Sequence, residues 1–558
     1  MTVSKDPFSE NSQNAASQKS VPETDLKNPA GPSKNASFLR ALAAVSGLTM
    51  ISRVLGFLRD MMMAGVLGTG AAADAFVVAL FFPNLFRRLF GEGAFSSAFV
   101  PMFAGMLVEE GPKRAMAFAS QAFMVLASFL LLLVLLFESL MPWVVQLVAP
   151  GFDPEGERFA LAVMFMQVTT PYLLFICLVA MLGGILNSVN RFGALAATPI
   201  LFNISLILGL LVGREMGSAT AGYILSWAVC LSGLVQFLWM CLWCRKAKTL
   251  PKIVRPKVTL DIRTLGRRLG PAIFSHGVMQ ISLLVGSILA STLPMGAVSV
   301  LYYADRVNQL PLGVVGVAIA TALLPKLSKS LKEAQKTGDN TQARRYQSRA
   351  TEFALLLTLP AAVALAVIGA PIISVLFERG EFGPDDVVAT AAALQVFAFG
   401  LPAFVAVKIL QTGFFAREDT KTPFKAGVVT MVSYCLLALT LMQIWGHVGL
   451  ALATSLSGWV NALLLVYLQH RRNFFYFDKR AQSVTPRLLL ASALMGAAIF
   501  WGELLLADWF VAEGLSKYFA LAGLVLGGGC CYAVALLGLR AITPREFKAL
   551  LKGRMKEQ

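Results

Sequence analysis

"FMVLASFLLLLVLLF", residues 123–137, contains no charge, and its apolar side chains do not alternate with polar ones. An unbroken apolar run of this kind suits a helix in lipid, whereas a strand of a membrane barrel alternates with a period of two. Comparable stretches of about 20 residues recur along the chain, each long enough to cross a hydrocarbon core of roughly 30 Å as a helix. Open sheet edges cannot face lipid, so the spans must be helices. Composition agrees: of 558 residues, 57% are hydrophobic and only 14% charged, with a mean hydropathy of +0.69. Soluble domains lie far from these values. The expected fold class is an all-α polytopic membrane protein of about fourteen transmembrane helices.

The formal net charge of +17 raises the question of nucleic acid, but the Lys and Arg residues sit in short loops between spans, where membrane topology explains them. No nucleic-acid partner is expected. Basic loops (Arg245 to Arg268, Lys326 to Arg349, "HRRNFFYFDKR", and the tail after Arg540) alternate with acidic or nearly uncharged ones such as "APGFDPEGE", "LPMGA", "ERGEFGPDD" and "ADWFVAEG". Lys and Arg are retained on the cytoplasmic side, so both termini are expected there and the number of spans is even. Residues 1–36 are rich in Ser, Asn, Lys and Pro with no apolar run, and read as a disordered cytoplasmic tail. Seven cysteines, mostly inside apolar runs, read as small buried hydrophobes; Cys241 and Cys244 have CxxC spacing but no further ligands nearby. Three histidines, His276, His447 and His470, leave almost nothing from which to build a metal centre or a catalytic triad. A transporter is expected, with no catalytic residue, metal or cofactor.

The chain also repeats itself. "GTGAAADAFVVALFFPNLF…GAFSSAFVPMF" has a counterpart in "LPMGAVSVLYYADRVNQLPLGVVGVAIATALLPKLS", with Pro83 answering Pro311 and Pro101 answering Pro325. Pro171, Arg191 and Pro199 are likewise answered by Pro402, Arg417 and Pro423. The interval of roughly 225–230 residues is what a duplicated bundle of about six helices gives. The organisation expected is an N-lobe over 37–244, a basic cytoplasmic loop over 245–268, and a C-lobe over 269–469. Two further helices lie in 470–540 and a cytoplasmic tail in 541–558. Two lobes facing each other leave a central cleft, with the substrate site near the bilayer midplane.

Charged residues interrupt the apolar pattern in that cleft. In "SRVLGFLRD", Ser52, Arg53, Arg59 and Asp60 lie well past the start of the first span. Arg53 and Asp60 are seven apart and share a helix face, so an internal pair with Arg59 reaching toward the interface is the plain structural reading. In the second span, 72–107, Asp74 lies near one end and "FRRLFGEG" holds Arg87, Arg88 and Glu92. That stretch is too long for one simple crossing, and Pro83, Gly91 and Gly93 supply a bend. Arg88 and Glu92, four apart, can satisfy each other, leaving Arg87 to point elsewhere. The answering segment "YYADRVNQLP" holds Asp305 and Arg306. Lys408 and Glu352 read instead as interfacial or locally paired. Guanidinium groups stay charged in low dielectric and grip phosphate oxygens in pairs, so the cleft should take an anion, best a phosphate or pyrophosphate headgroup.

Together, "AAVSGLTMISRVLGFLRD", "ADAFVVALFFPNLFRRLFGEGAFSSAFVPMF", "PGF", "ILNSVNRF", "GPAIFSHGVMQIS", "YYADRVNQLPLGVVGVAIATALLPKLS" and "TKTP" resemble the MurJ (MviN) family of lipid II flippases, from about Phe38 to the C-terminus. The resemblance implies membership of the multidrug, oligosaccharidyl-lipid and polysaccharide exporter superfamily, with two six-helix lobes around a central cationic cavity. It implies movement of undecaprenyl-pyrophosphate-linked disaccharide-pentapeptide (lipid II) to the outer leaflet of the cytoplasmic (inner) membrane for peptidoglycan synthesis. The family's essential arginines fall on Arg53, Arg59, Arg87 and Arg306, and its functional aspartate on Asp74. Ser52, Asp60, Arg88, Glu92 and Asp305 are expected to support them. Gln309 stands where some members have an acidic residue, and Phe81 where some have a lysine. The last two helices look like a groove for the lipid tail. Expected partners are lipid II, membrane lipids and the cell-wall synthesis machinery, with the chain itself a monomer; coupling to membrane potential or an ion gradient is left open. The alternatives are a flippase for another polyprenyl-pyrophosphate-linked oligosaccharide, or a multidrug or cation antiporter of the same superfamily, for which acidic or aromatic residues should dominate the cleft.

Overall fold

The structure, a computed structural model, describes residues 34–88, 95–313, 317–337, 339–476, 478–511 and 514–543; the side chains of 34–44, 96, 271–279, 317–322 and 335–337 are not among the described features. The expected tails, 1–36 and 541–558, lie almost entirely outside the described residues, as does Glu92. Helices make up the described chain, with one isolated antiparallel bridge between Arg379 and Phe382. The first half contains α1 (Lys34–Leu67), α2 (Ala71–Phe86), α3 (Phe95–Glu109), α4 (Pro112–Ser139), α5 (Met141–Val148), α6 (Glu157–Thr169), α7 (Tyr172–Ser188), α8 (Gly193–Gly213) and α9 (Ser218–Lys246). The second contains α10 (Leu260–Ser291), α11 (Ala297–Pro311), α12 (Val317–Thr337), α13 (Thr341–Val367), α14 (Gly369–Phe377), α15 (Pro384–Phe415) and α16 (Lys421–Arg471). Then follow α17 (Lys479–Leu505), α18 (Ala507–Val511) and α19 (Ser516–Gly538).

Among the described residues, nine helices are long and apolar enough to cross a membrane. One of these, α16, holds 51 residues, roughly 76 Å at 1.5 Å per residue, twice what a bilayer core needs. It is two helices joined at Gly446, whose φ of 53° only glycine adopts freely, and each half is long enough for one crossing. The remaining expected spans fall on helices that are charged or broken. The 72–107 stretch becomes α2 and α3, with α2 ending in a π turn at Arg87 and Arg88 just past Pro83. The stretch from 297 becomes α11 and α12, and α11 also ends in a π turn, at Leu312 and Gly313, just past Pro311. The basic loop is shorter than expected: α9 runs to Lys246 and α10 begins at Leu260, capped by the Thr259 hydroxyl, which accepts from Ile262 N. α17 starts at Lys479, where the Asp478 carboxylate caps it through Ala481 N at 2.7 Å.

The duplication is legible in the backbone. Residues with positive φ stand at corresponding turns and breaks of both halves: Gly68 with Gly296, Asn190 with Glu418, Gly217 with Gly446, and Lys248 with Asn473. The spacing matches the interval between the repeated prolines, so the two halves share a path of turns as well as scattered residues.

Helices in lipid gain little from a hydrophobic effect between themselves and rely on close packing, which small residues allow. In "GLLVG", Gly209 and Gly213 face Ala228 and Ala221 of α9; a Cβ at Gly209 would lie 2.9 Å from the Ala228 methyl. At Gly222 a Cβ would lie 2.5 Å from the Phe165 ring. One large buried cluster spans both halves and includes Phe76, Phe165, Tyr303, Phe377 and Phe382. Phe57 of α1 meets Phe377 of the second half at 6.4 Å, and Phe377 packs in turn on Tyr303 of α11 at 5.5 Å, so the seam between the halves is aromatic at this level. Cys177 and Cys244 are buried as expected, but Cys530 is exposed on the outside of α19.

Candidate functional site

Two buried carboxylates organise the polar residues between the halves. Asp60, two turns before the end of α1, is 3% exposed, a cost that only charge partners and hydrogen bonds offset. Its neighbour Arg59, also buried, folds over it, placing Nε 3.0 Å and Nη2 2.6 Å from Oδ1. Tyr302 of α11 donates its hydroxyl to the same oxygen at 3.0 Å. Arg306, one helical turn on, holds Nε 3.6 Å from Asp60 Oδ2 and stacks over the Tyr302 ring at 4.5 Å. That Nε is buried without a hydrogen-bond acceptor. On the other flank, Arg59 Nη1 donates to Asn203 Oδ1 of α8 at 3.0 Å, and Asn203 Nδ2 donates to the Ser52 carbonyl at 2.9 Å. Gly56 leaves room for that amide, since a Cβ there would meet Asn203 Nδ2 at 3.4 Å.

The pair expected from helix spacing, Arg53 with Asp60, is therefore replaced by Arg59 with Asp60. Adjacent residues point about 100° apart on a helix, but the long Arg59 stem closes that angle, and Asn203 and Tyr302 fix the result. Arg53 is exposed and turns to a cavity of about 380 Å³. Asp305, Asn308, Gln309, Phe397, Phe404 and Lys408 share its wall. The Arg53 guanidinium lies against Gly313, where a Cβ would come within 2.7 Å of Nη1. Lys408 is thus a cavity residue, in contrast to its sequence reading; an isolated lysine in an apolar helix carries no sign of which way it faces. Glu352 is locally paired as expected, with Arg349 at 3.4 Å and Arg480 at 3.3 Å. Gln309, the departure after "YYADR", donates its amide to Asp305.

Arg87 lies elsewhere, beyond Pro83, where its Nε donates to Asn84 Oδ1 at 3.2 Å; it is half-buried and Arg88 is exposed. The expected Arg88 and Glu92 pair lies outside the described residues.

Asp74 is the second carboxylate and belongs to the end of the bundle that carries the acidic loops. It is fully buried in the first turn of α2. There it caps α11 of the other half: Gly296 N donates to Oδ2 at 2.8 Å, and Ser299 donates through N at 2.9 Å and Oγ at 2.7 Å to Oδ1. Helix N-termini leave N–H groups unsatisfied and carry partial positive charge, so a carboxylate fits there. Arg158 of α6 adds a charge at 3.5 Å. Around this cap, Glu381 N donates to Gly65 O at 2.9 Å, Tyr303 Oη to Gly68 O at 3.3 Å, and the Thr69 hydroxyl to Asp386. Gly380, at φ 58°, is required, since a Cβ would sit 2.2 Å from Gly65 O. This end of the seam is sealed.

Among the described residues no group of three or more His, Cys, Asp or Glu could hold a metal ion. What the arrangement can do is hold an anion: cationic groups from both halves face one cavity, with donors left over. Sequence reasoning missed Asn203, Arg158 and Ser299, whose partners lie far along the chain.

Residues 63–520 match the family model described as "Lipid II flippase MurJ". A protein of Rhizobium meliloti (strain 1021) named "Probable lipid II flippase MurJ" is 41% identical over 512 residues, covering 90% of this chain and 94% of the relative. A solved structure titled "Lipid II flippase MurJ, inward closed conformation" superposes with a TM-score of 0.73 at 27% identity, covering 88% of this chain and 97% of that one. An inward-facing multidrug resistance MATE family transporter of the MOP superfamily matches with a TM-score of 0.64 at 15% identity over 77% of this chain and 98% of its own, a likeness of fold. With its family match running over most of its length and its polar cluster strung between two repeated halves, the chain belongs to the lipid II flippase MurJ family.

Proposed function

We propose that the chain moves lipid II across the cytoplasmic membrane by alternating access, with Arg53, Arg59, Arg87 and Arg306 gripping the pyrophosphate. The observation that carries this reading is that Arg53 of α1 and Lys408 of α15, one cation from each half, share the wall of one cavity with Asp305 of α11, whose neighbour Arg306 keeps its Nε buried with no hydrogen-bond acceptor. Guanidinium forks match phosphate oxygens, and a membrane-embedded cleft lets the polyprenyl tail remain in the bilayer. Ser52, Asp60 and Asp305 support the arginines, Asp74 latches the sealed end, and Glu92, four positions on from Arg88, offsets the charge of Arg88. The lobes run over 37–244 and 269–469, with about fourteen spans, and the helices of 470–540 guide the tail. Both termini are cytoplasmic, so the sealed end faces outward. The chain works as a monomer beside the cell-wall synthesis machinery.

Net positive charge in the cavity gives the membrane potential a handle, on the scale of about 2.3 kcal/mol per charge per 100 mV if the whole field is crossed. Collapsing the potential should shift the accessibility of cysteine probes at the two ends of the cleft; a response to a sodium or proton gradient alone removes that coupling. The deciding experiment depletes the protein in its own cell and asks which lipid-linked precursor stays shielded from an externally added cleaving enzyme. Shielding of lipid II supports the reading, and shielding of a different polyprenyl-pyrophosphate sugar replaces the substrate.

A further inference from the structure

At the end of the bundle that carries the basic loops, away from the central cavity, a second cluster of arginines lies between α13, α15 and the turn after α16. Arg417, just past the end of α15, donates Nη1 to the Gly413 carbonyl at 2.6 Å and stacks over the Phe474 ring at 4.1 Å. Arg344, in the first turn of α13, stacks over the Tyr476 ring at 5.6 Å. Beneath them the Gln347 amide donates to Gln469 Oε1 at 2.6 Å, and Gln469 donates to the Leu410 carbonyl at 2.7 Å. Gly413 is the only residue that fits there, since a Cβ would meet both amides at 2.5 Å.

Helix capping and ring stacking account for Arg417 Nη1 and for the orientation of the guanidinium planes. They leave three buried donors unexplained. Arg417 Nη2, Arg344 Nε and the Ser348 hydroxyl all lack a hydrogen-bond partner, and Ser348, 1% exposed, shares a helix face with Arg344 four residues earlier. Unmade hydrogen bonds at buried donors cost about 1–3 kcal/mol each, and more for charged groups. Carboxylates that could serve are engaged or turned away: Asp419 is held by Arg472 at 2.6 Å and by the Thr422 hydroxyl at 2.6 Å, and Glu418 is exposed. Burial, and after it the neighbouring Arg344, pull the Arg417 guanidinium down to about 10. Two like charges are thus drawn together, and the described carboxylate that acts on Arg344, Asp339, is exposed and bonded to Thr341. Arg191, the counterpart of Arg417 in the first half, is exposed, so the repeat does not impose this arrangement.

We infer that Arg344, Ser348 and Arg417 form an accessory anion site that takes one phosphate group, with the Phe474 and Tyr476 rings holding the two guanidinium planes. A phosphate offers several acceptor oxygens, enough for all three orphan donors. The group can come from an anionic phospholipid headgroup at the interface or from soluble phosphate. The inference is independent of what the central cavity carries.

The test uses the purified full chain in nanodiscs of phosphatidylcholine, titrated either with inorganic phosphate or with short-chain phosphatidylglycerol, and reads thermal stabilisation together with lipids retained in native mass spectra. Arg344→Gln leaves the Arg417 cap and stack intact, so it should fold; Arg417→Lys keeps charge but loses the fork. Each should weaken binding by about tenfold or more, the loss of one charged hydrogen-bonding partner, while Arg53→Gln in the central cavity should leave this component unchanged. Stabilisation by phosphatidylglycerol alone, lost in the variants, supports a lipid source; stabilisation by phosphate as well supports a soluble one. Unaltered binding in Arg344→Gln, or no stabilisation of the wild type by either probe, overturns the site and leaves Arg417 a helix cap.

Discussion

Asp60 and Asp74 are both buried carboxylates that tie the first half of the chain to α11, but they do so with different partners. Asp74 accepts from two backbone N–H groups and a serine hydroxyl, all at the start of one helix. Its bonds are made together when α11 docks and are lost together when α11 leaves. Asp60 is surrounded by side chains, Arg59, Tyr302 and Arg306, that can rotate and exchange partners without moving a helix. One carboxylate suits a latch, the other a counterion that a passing anion can displace. Low dielectric sharpens both roles, since neither can be left bare at small cost.

Of the two carboxylates, the larger expected effect follows from removing the latch. Asp74→Ala strands Gly296 N, Ser299 and Arg158 at once, so lipid II flipping in reconstituted vesicles should fall by about a hundredfold or more. A cysteine at buried Ala297 should also become reactive to an impermeant reagent. Asp74→Asn keeps an acceptor and should recover part of the activity. Asp60→Asn removes the competing counterion, so it should tighten precursor binding while Ala297→Cys stays protected. Should Asp60→Asn open the sealed end instead, the division between latch and counterion collapses.

Next come the arginines. Arg59→Lys retains charge but one ammonium cannot serve Asp60 and Asn203 in the same geometry, so flipping should drop by about tenfold at matched expression. Arg306→Lys should cost a similar factor, expressed in precursor binding, since its Nε points at no protein acceptor. Arg87→Ala should abolish transport without loss of folded protein, and Arg88→Ala should be milder. Equal effects at Arg87 and Arg88 would detach Arg87 from the substrate.

How much of this was legible in the sequence depends on whether the partners are local. Apolar runs, the prolines and the loop charges act within a few turns of chain, and they located the helices, the break near Pro83 and the repeat. Ser52, Arg53, Arg59 and Asp60 could be singled out because charge inside an apolar helix stands out. Which arginine held Asp60 could not be read, because Asn203 and Tyr302, far along the chain, decide it. Asp74 was flagged, yet its role as a cap for α11 depends on a helix start more than 200 residues away. Lys408 was set aside because nothing in α15 alone says which of its faces meets the cavity. Secondary structure follows local pattern; the cluster follows from how the two halves dock.

The smallest expected effect is at Asn203, and it separates geometry from charge in the Asp60 cluster. Asn203 bridges Arg59 to the Ser52 carbonyl and carries no charge itself. Asn203→Ala removes both bonds and leaves Arg59 paired with Asp60, so stability should fall by about 1–2 kcal/mol and transport should largely persist. Asn203→Asp keeps an oxygen for Arg59 but brings a second carboxylate to it, which lowers the positive charge offered to the substrate. If the cluster acts through charge, Asn203→Asp should bind precursor more weakly than Asn203→Ala despite preserving more of the contact to Arg59. If it acts only by fixing Arg59 in place, the order reverses. Melting temperature and precursor affinity measured side by side for the two variants give the answer, and the reversed order would make Asp60 a packing device like any buried polar pair.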